Sequence, residues 1–391
     1  MDYQGTISRG IRAPIIKKGD DLVTIVSDCI VNSAKTHNIQ LQDRDVVAVT
    51  EAVLARSQGN YATTDQIAQD IRNKFGDKTV GLILPIFSRN RFSMILKGIA
   101  KGTKKLIIQL SYPCDEVGNS FISQEQLYES KVNPYTDVFT ADEFHRVFKD
   151  TRHTFTGVDY IEYYREMAKG CEIILANNPL KILDYTPYVI NADIHSRKRT
   201  KKLLLDNGAK QVVSLDEILT QSVNGSGYNE QYGVLGSNLA TQDSVKLFPR
   251  DSQKFVEELQ KRLIDLTGKN IECMVYGDGA FKDPVGGIWE LADPVCSPGY
   301  TKGLEGRPNE LKLKYIADNE LSDLSGEQAV AAMKDLIKNK EKDLVNNIKS
   351  QGTTPRRLTD LLGSLADLTS GSGDKGTPII LIQNYFKNFA D

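Results

Sequence analysis

A chain of 391 residues is longer than one typical small core and points to two domains, or to one domain carrying a large insert. Hydrophobic residues make up 40% and charged residues 26%, an ordinary balance for a globular protein, and a formal net charge of −2 gives no pull toward nucleic acid or an acidic membrane surface. No apolar run approaches the ~20 residues needed to cross a bilayer, the N-terminal MDYQGTISRG lacks the apolar segment of a signal peptide, and the 5 cysteines are scattered without CxxC spacing, so a cytoplasmic location is expected.

In chain order, GDDLVTIVSDCIV places Leu22, Ile25, Val26, Cys29 and Ile30 at helical spacing behind Asp20 or Asp21 as N-cap. DVVAVT, Asp45 to Thr50, is short, β-branched and apolar, and so reads as a buried strand. TTDQIAQDIRNKFG reads as a helix with Thr63 and Gln66 at capping-box spacing and Gly76 as its stop. From Thr79 the pattern alternates. TVGLILPI, KKLIIQLSY, EIILAN and QVVSL predict strands, while RFSMILKGIAKG, DYIEYYREMAKG and RKRTKKLLLDNGAK predict the helices between them, the signature of an α/β layer. Then follow an amphipathic helix in SQKFVEELQKRLIDLTGKN and a strand running into a glycine-rich turn in ECMVYGDGAF. One long charged helix is expected from Ser325 to Gly352, with Ser325 and Gln328 at capping-box spacing. A last helix, with Pro355 in its first turn and Gly371 as its stop, leads into GSGDKGTPIILI.

Four stretches could carry chemistry, one of them GIRAPIIKKGDDL, Gly10 to Leu22, which also reads as a proline-containing entry into the first helix. Gly371, Gly373 and Gly376 permit close backbone approach to an anion, with Lys375 beside a phosphate and Asp374 beside a cation; the same residues also read as a helix stop before a strand. In MVYGDGAFKDPVGG, Asp278 stands at a strand end between two glycines, a position that suits Mg²⁺ or Mn²⁺ with phosphate, with Lys282 neutralising phosphate charge and Asp283 as a second ligand; a turn that uses Asp and Gly for backbone reasons gives the same pattern. In YGVLGSNLATQDSVKLFPRD, Asn238, Thr241 and Asp243 could face metal or substrate, although loops of this composition are common. The basic runs Arg89 to Lys105 and Arg197 to Lys202 read first as solvated helix faces. The 4 histidines have no zinc-site spacing, and no GxSxG elbow is present.

GIRAPIIKKGDDL, LQDRDVVAVTEAVLARSQGN, GSNLATQDSVKLFP, VYGDGAFKD and LTDLLGSLADLTSGSGDKGTPIILI occur in an order that resembles the coenzyme F-420-0 γ-glutamyl ligase family. The resemblance implies an α+β (mixed α/β) fold: a ligase core from residues 1–78 and 232–391, with 79–231 as an inserted α/β region. It implies a homodimeric enzyme that uses GTP or ATP and two Mg²⁺ or Mn²⁺ ions to activate a carboxylate acceptor as an acyl phosphate, which the amine of L-glutamate then attacks. By position, Ala13, Pro14, Ile15, Ile16, Arg56 and Thr241 would contact nucleotide together with Gly371, Gly373, Lys375 and Gly376. Asp278, Asn238, Asp374 and Ser372 fall at metal positions, and Asp278 and Lys282 at catalytic ones. The chain departs from the family pattern at several points. Asn238 and Ser372 stand where the family has acidic ligands, Glu51-Ala52 where it has Ser-Thr, and Gly279 where it has Thr. Either the ligands have moved to neighbours such as Asp243, Asp283 and Asp374, or the substrate differs; an acceptor other than the deazaflavin is favoured, with the insert reshaping its pocket. The alternatives are a pterin or folate acceptor, or a non-catalytic nucleotide- or metabolite-binding homologue.

Overall fold

The computed structural model describes residues 4–278, 293–350, 356–370 and 373–391. Its strands in chain order are β1 (Ile7–Ile11), β2 (Val46–Thr50), β3 (Tyr61–Thr63), β4 (Thr79–Ile83), β5 (Lys105–Leu110), β6 (Phe139–Thr140), β7 (Glu172–Leu175), β8 (Tyr188–Asn191), β9 (Gln211–Ser214), β10 (Asn238–Thr241), β11 (Ser244–Lys246), β12 (Glu272–Tyr276), β13 (Gly299–Tyr300) and β14 (Ile379–Gln383). The first helices are α1 (Leu22–Thr36), α2 (Glu51–Gln58), α3 (Thr64–Phe75) and α4 (Ser93–Gly102). The fold is mixed α+β, and three sheets organise the described residues.

The five-stranded sheet runs β1-β14-β2-β12-β13, with β2 and β12 parallel and β14 antiparallel to β2. Side chains alternate along β2. Val47 and Val49 pack beneath α1 and the helix Ser252–Thr267, whereas Val46 and Ala48 pack beneath the helix Leu358–Thr369. A sheet covered on both faces needs continuously apolar strands, and VVAVT and IILIQ supply them.

The six-stranded sheet runs β6-β7-β5-β4-β8-β9, parallel except for the edge strand β6. From β4 the chain moves outward through β5 to β7, then returns to the other side of β4 for β8 and β9. That order puts a topological switch point between β4 and β8, where loops at the carboxyl edge diverge and leave a crevice. Its main core includes Ile67 and Ile71 of α3 and also Val245 and Leu247, so this sheet is packed against the elements that precede and follow it. The fit is close. A Cβ on Gly98 of α4 would lie 2.7 Å from the Ile67 side chain.

The expected local signals are present where packing agrees with them. Asp21 caps α1, Thr63 and Gln66 form the reciprocal capping box of α3, and Gly76 ends it at φ 60°. The long helix expected from Ser325 to Gly352 is shorter: it spans Gly326–Lys338. Apolar positions recur only as far as Ile337, the following NKEKD offers nothing to bury, and Asn339 closes the end through Asp335. Ser325 makes no side-chain cap bond. Pro355 lies outside the described residues.

The loop leaving β4 is fixed by a buried carboxylate. Leu84 turns the chain at φ 52°, and Phe87 N donates to Asp115 Oδ2 at 2.7 Å. Asp115 also accepts from Val117 N, Asn119 N and Asn119 Nδ2. Burial pushes its pKa up to about 6 from 3.8, against the pull of those donors. A carboxyl whose pKa rises on folding contributes stability below its unfolded pKa and loses that contribution as pH rises through its folded one. Stability is therefore expected to increase between pH 6 and 3.8 through this group. Asp115→Asn is expected to remove that component and to cost about 2–4 kcal/mol at neutral pH, because an amide N–H₂ would face N–H donors. Denaturant unfolding across this pH range, parent against variant, checks both effects.

Candidate active site

Four segments distant in sequence meet at one edge of the five-stranded sheet. β2 and β12 are in register with Thr50 opposite Tyr276, so the chains leaving both strands emerge side by side. β14 enters at this edge, where Thr50 N donates to Pro378 O at 3.0 Å. β1 exits there too, and Ala13 N donates to Gly376 O at 3.3 Å. The carboxyl ends of parallel strands thus gather the segment 13–16, the start of α2, the turn at Asp278 and the loop 373–378, a common place for ligands in sheets of this kind.

Beside this edge is a cleft of about 860 Å³ lined by Lys17, Lys18, Arg56, Thr241 and Lys246 among others. Lys17, Lys18 and Arg56 are exposed and form no ion pair among the described residues. Cations without counter-charges in a concave site favour a polyanion. Ala13 is half-buried, Pro14 is exposed, Ile15 is 80% exposed, and Ile16 is in the core. In the C-terminal loop Gly376 has the left-handed backbone, at φ 64°, whereas Gly373 does not; the side chains of Asp374 and Lys375 are exposed. Gly371, Ser372, Lys282 and Asp283 lie outside the described residues.

A compact charge cluster adjoins the cleft. Arg91 reaches from the loop after β4 to two carboxylates, with Nη2 donating to Asp278 Oδ2 and Nη1 donating to Asp293 Oδ1 at 2.6 Å. Asp293 Oδ2 accepts from Asp278 N at 2.7 Å. Gly277 makes this closeness possible, since a Cβ there would lie 2.2 Å from Asp293 Oδ2. The Asp293 side chain is 2% exposed and that of Arg91 16%. Burial alone would lower the Arg91 pKa, but the carboxylates of Asp293, Asp278 and Glu51 outweigh it and raise the pKa. Next to them Lys246 Nζ donates to both oxygens of Glu51, at 2.8 and 3.0 Å. Burial raises the Glu51 pKa, while Lys246 pulls it down. The Tyr276 hydroxyl, its pKa pushed up to about 12 by burial, lies beside Ser370 and Thr50.

Among the described residues no three histidine, cysteine or carboxylate side chains are arranged to hold a metal. Asp278 is engaged by Arg91. Asn238 begins β10 opposite Lys246 and lines a second cavity, of about 370 Å³, with Arg89 and Arg91. Asp243 pairs with Lys97 at 2.5 Å on the surface.

The basic run from Arg89 to Lys105 is partly the solvated face that its composition predicts: Lys101 pairs with Asp65, and Lys105 with Glu172. Arg91 does not fit that description. Sequence reasoning missed its placement, and it missed Asp293 and Lys246. The only available signal was Arg91's position shortly after a buried parallel strand, at an edge where ligands bind.

A family model described as F420-0:Gamma-glutamyl ligase matches residues 10–384. A search of curated proteins finds no match. No helix among the described residues is long and apolar enough to cross a membrane.

Proposed function

Because the chain belongs to the F420-0:gamma-glutamyl ligase family, whose members form amide bonds, we propose that it is a nucleotide-dependent γ-glutamyl ligase that joins L-glutamate to a small carboxylate acceptor through an acyl phosphate. GTP or ATP is the cosubstrate, and Mg²⁺ or Mn²⁺ enters as its complex. The acceptor carboxylate oxygen takes the γ-phosphoryl group and nucleoside diphosphate leaves. The glutamate amine then forms the C–N bond as the C–O bond to phosphate breaks, with inorganic phosphate as leaving group and one amine proton lost.

The observation that carries this reading is the convergence of Ala13, Arg56, Asp278 and the Gly376 loop on one sheet edge beside a cation-lined cleft. Lys17, Lys18, Arg56 and Lys375 are assigned to the nucleotide phosphates, and Thr241 lines the same cleft. Phosphoryl transfer depends mainly on positioning and charge compensation, and these residues offer both. The helix Leu358–Thr369 presents its electronegative end near the loop, so a cation has to offset it there. Lys375→Ala is accordingly expected to weaken Mg-GTP or Mg-ATP binding by about 1–3 kcal/mol, read by titration calorimetry. The reading as a whole is tested by nucleoside diphosphate release under a panel of acceptors, with and without L-glutamate. Release stimulated by an acceptor, with a glutamylated product by mass spectrometry, supports it; nucleotide binding with no acceptor-dependent turnover across the panel contradicts it.

A further inference from the structure

A divalent ion between two carboxylates and a guanidinium between two carboxylates solve the same electrostatic problem. Here the guanidinium is already in position. Asp278 and Asp293 approach each other at the end of β12, closely enough for Asp278 N to donate to Asp293 Oδ2, and two such carboxylates need a cation between them. Arg91 supplies it with one Nη to each. We infer that Arg91 is the resident cation of the reaction centre, standing between Asp278 and Asp293 where a divalent ion would otherwise be held.

The delivery of Arg91 supports this. Four bonds fasten the loop that carries it: Phe87 N to Asp115, Ser88 N to the Tyr164 hydroxyl, Arg91 N to Ser88 Oγ, and Leu239 N to Asn90 O. A side chain presented by so constrained a loop gives up little freedom on pairing. Guanidinium also offers a planar fork that matches two carboxylates and does not lose its proton. Metal entry at this point would require breaking a mostly buried ion triad. Lys246 on Glu51 repeats the arrangement one strand away, so two fixed cations face three carboxylates across the cluster.

The test reads metal binding without turnover, so it stands apart from the ligase reading. Mn²⁺ is titrated, without nucleotide, into the full chain and into Arg91→Met, Arg91→Lys and the double variant Arg91→Met/Asp293→Asn, with free Mn²⁺ followed by paramagnetic resonance. Arg91→Met is expected to gain a Mn²⁺ site at least about tenfold tighter than any in the parent. Arg91→Lys, which keeps a cation, should stay parent-like, and the double variant should lose the gain. Equal Mn²⁺ binding by parent and Arg91→Met, or a gain that survives Asp293→Asn, overturns the inference. Should Arg91→Met not fold, the parent decides. Side-chain nitrogen NMR of Arg91 unaffected by excess Mn²⁺ supports a resident cation, and selective broadening or displacement of that signal refutes it.

Discussion

Asp278→Asn is expected to lower turnover by at least about 10²-fold while leaving the fold intact, the scale seen when a charge-positioning contact is removed from a transfer site. The side chain stands in a turn at the end of β12 and contributes to no apolar core, so its loss creates no cavity. The substitution removes one of the two charges that hold Arg91 and turns a carboxylate oxygen facing a guanidinium into an amide group. Asp293 then carries the pair alone, and the guanidinium is free to tilt toward it. Since transfer of a phosphoryl group tolerates little misplacement of nearby charge, the loss should appear in kcat more than in nucleotide affinity. Steady-state kinetics with calorimetric nucleotide binding on the same preparation separates the two. Near-parent turnover would remove Asp278 from the reaction centre.

Lys246→Met is expected to destabilise the protein by about 3–5 kcal/mol, the usual cost of leaving one member of a buried ion pair unpaired. Lys246 is 10% exposed and Glu51 5%, and no second cation bonds Glu51 in the described residues. Replacing both members, as Glu51→Leu with Lys246→Met, should recover most of the loss because no buried charge remains. Denaturant unfolding of the single and double variants gives the coupling directly. A single variant as stable as the parent would mean that water reaches Glu51.

Much of the scaffold could be read from the sequence because the signals are local. β2, β4, β5, β7, β9 and β14 are apolar, β-branched runs punctuated by Gly, Pro or charge, and they form strands wherever they pack. The caps of α1 and α3 lie within a few residues of their targets. The edge strand β1 and the hairpin of β10 and β11 were not legible: ISRGI and NLAT carry polar and glycine positions, and their partners are set by register with distant chain.

For the site, the sequence by itself determined that a carboxylate stands at a strand end in GDG, that a glycine loop precedes the last strand, and that basic residues cluster after β4. Only the tertiary structure decided which of those charges meet. Arg91 and Asp278 are 187 residues apart, Arg91 and Asp293 202, and Glu51 and Lys246 195. A lysine or arginine looks the same in sequence whether it is solvated or buried. Its environment follows from strand order, from the switch point beside β4 and from the register of β2 with β12, and those pairings are fixed by how whole sheets bury their faces rather than by any neighbouring residue.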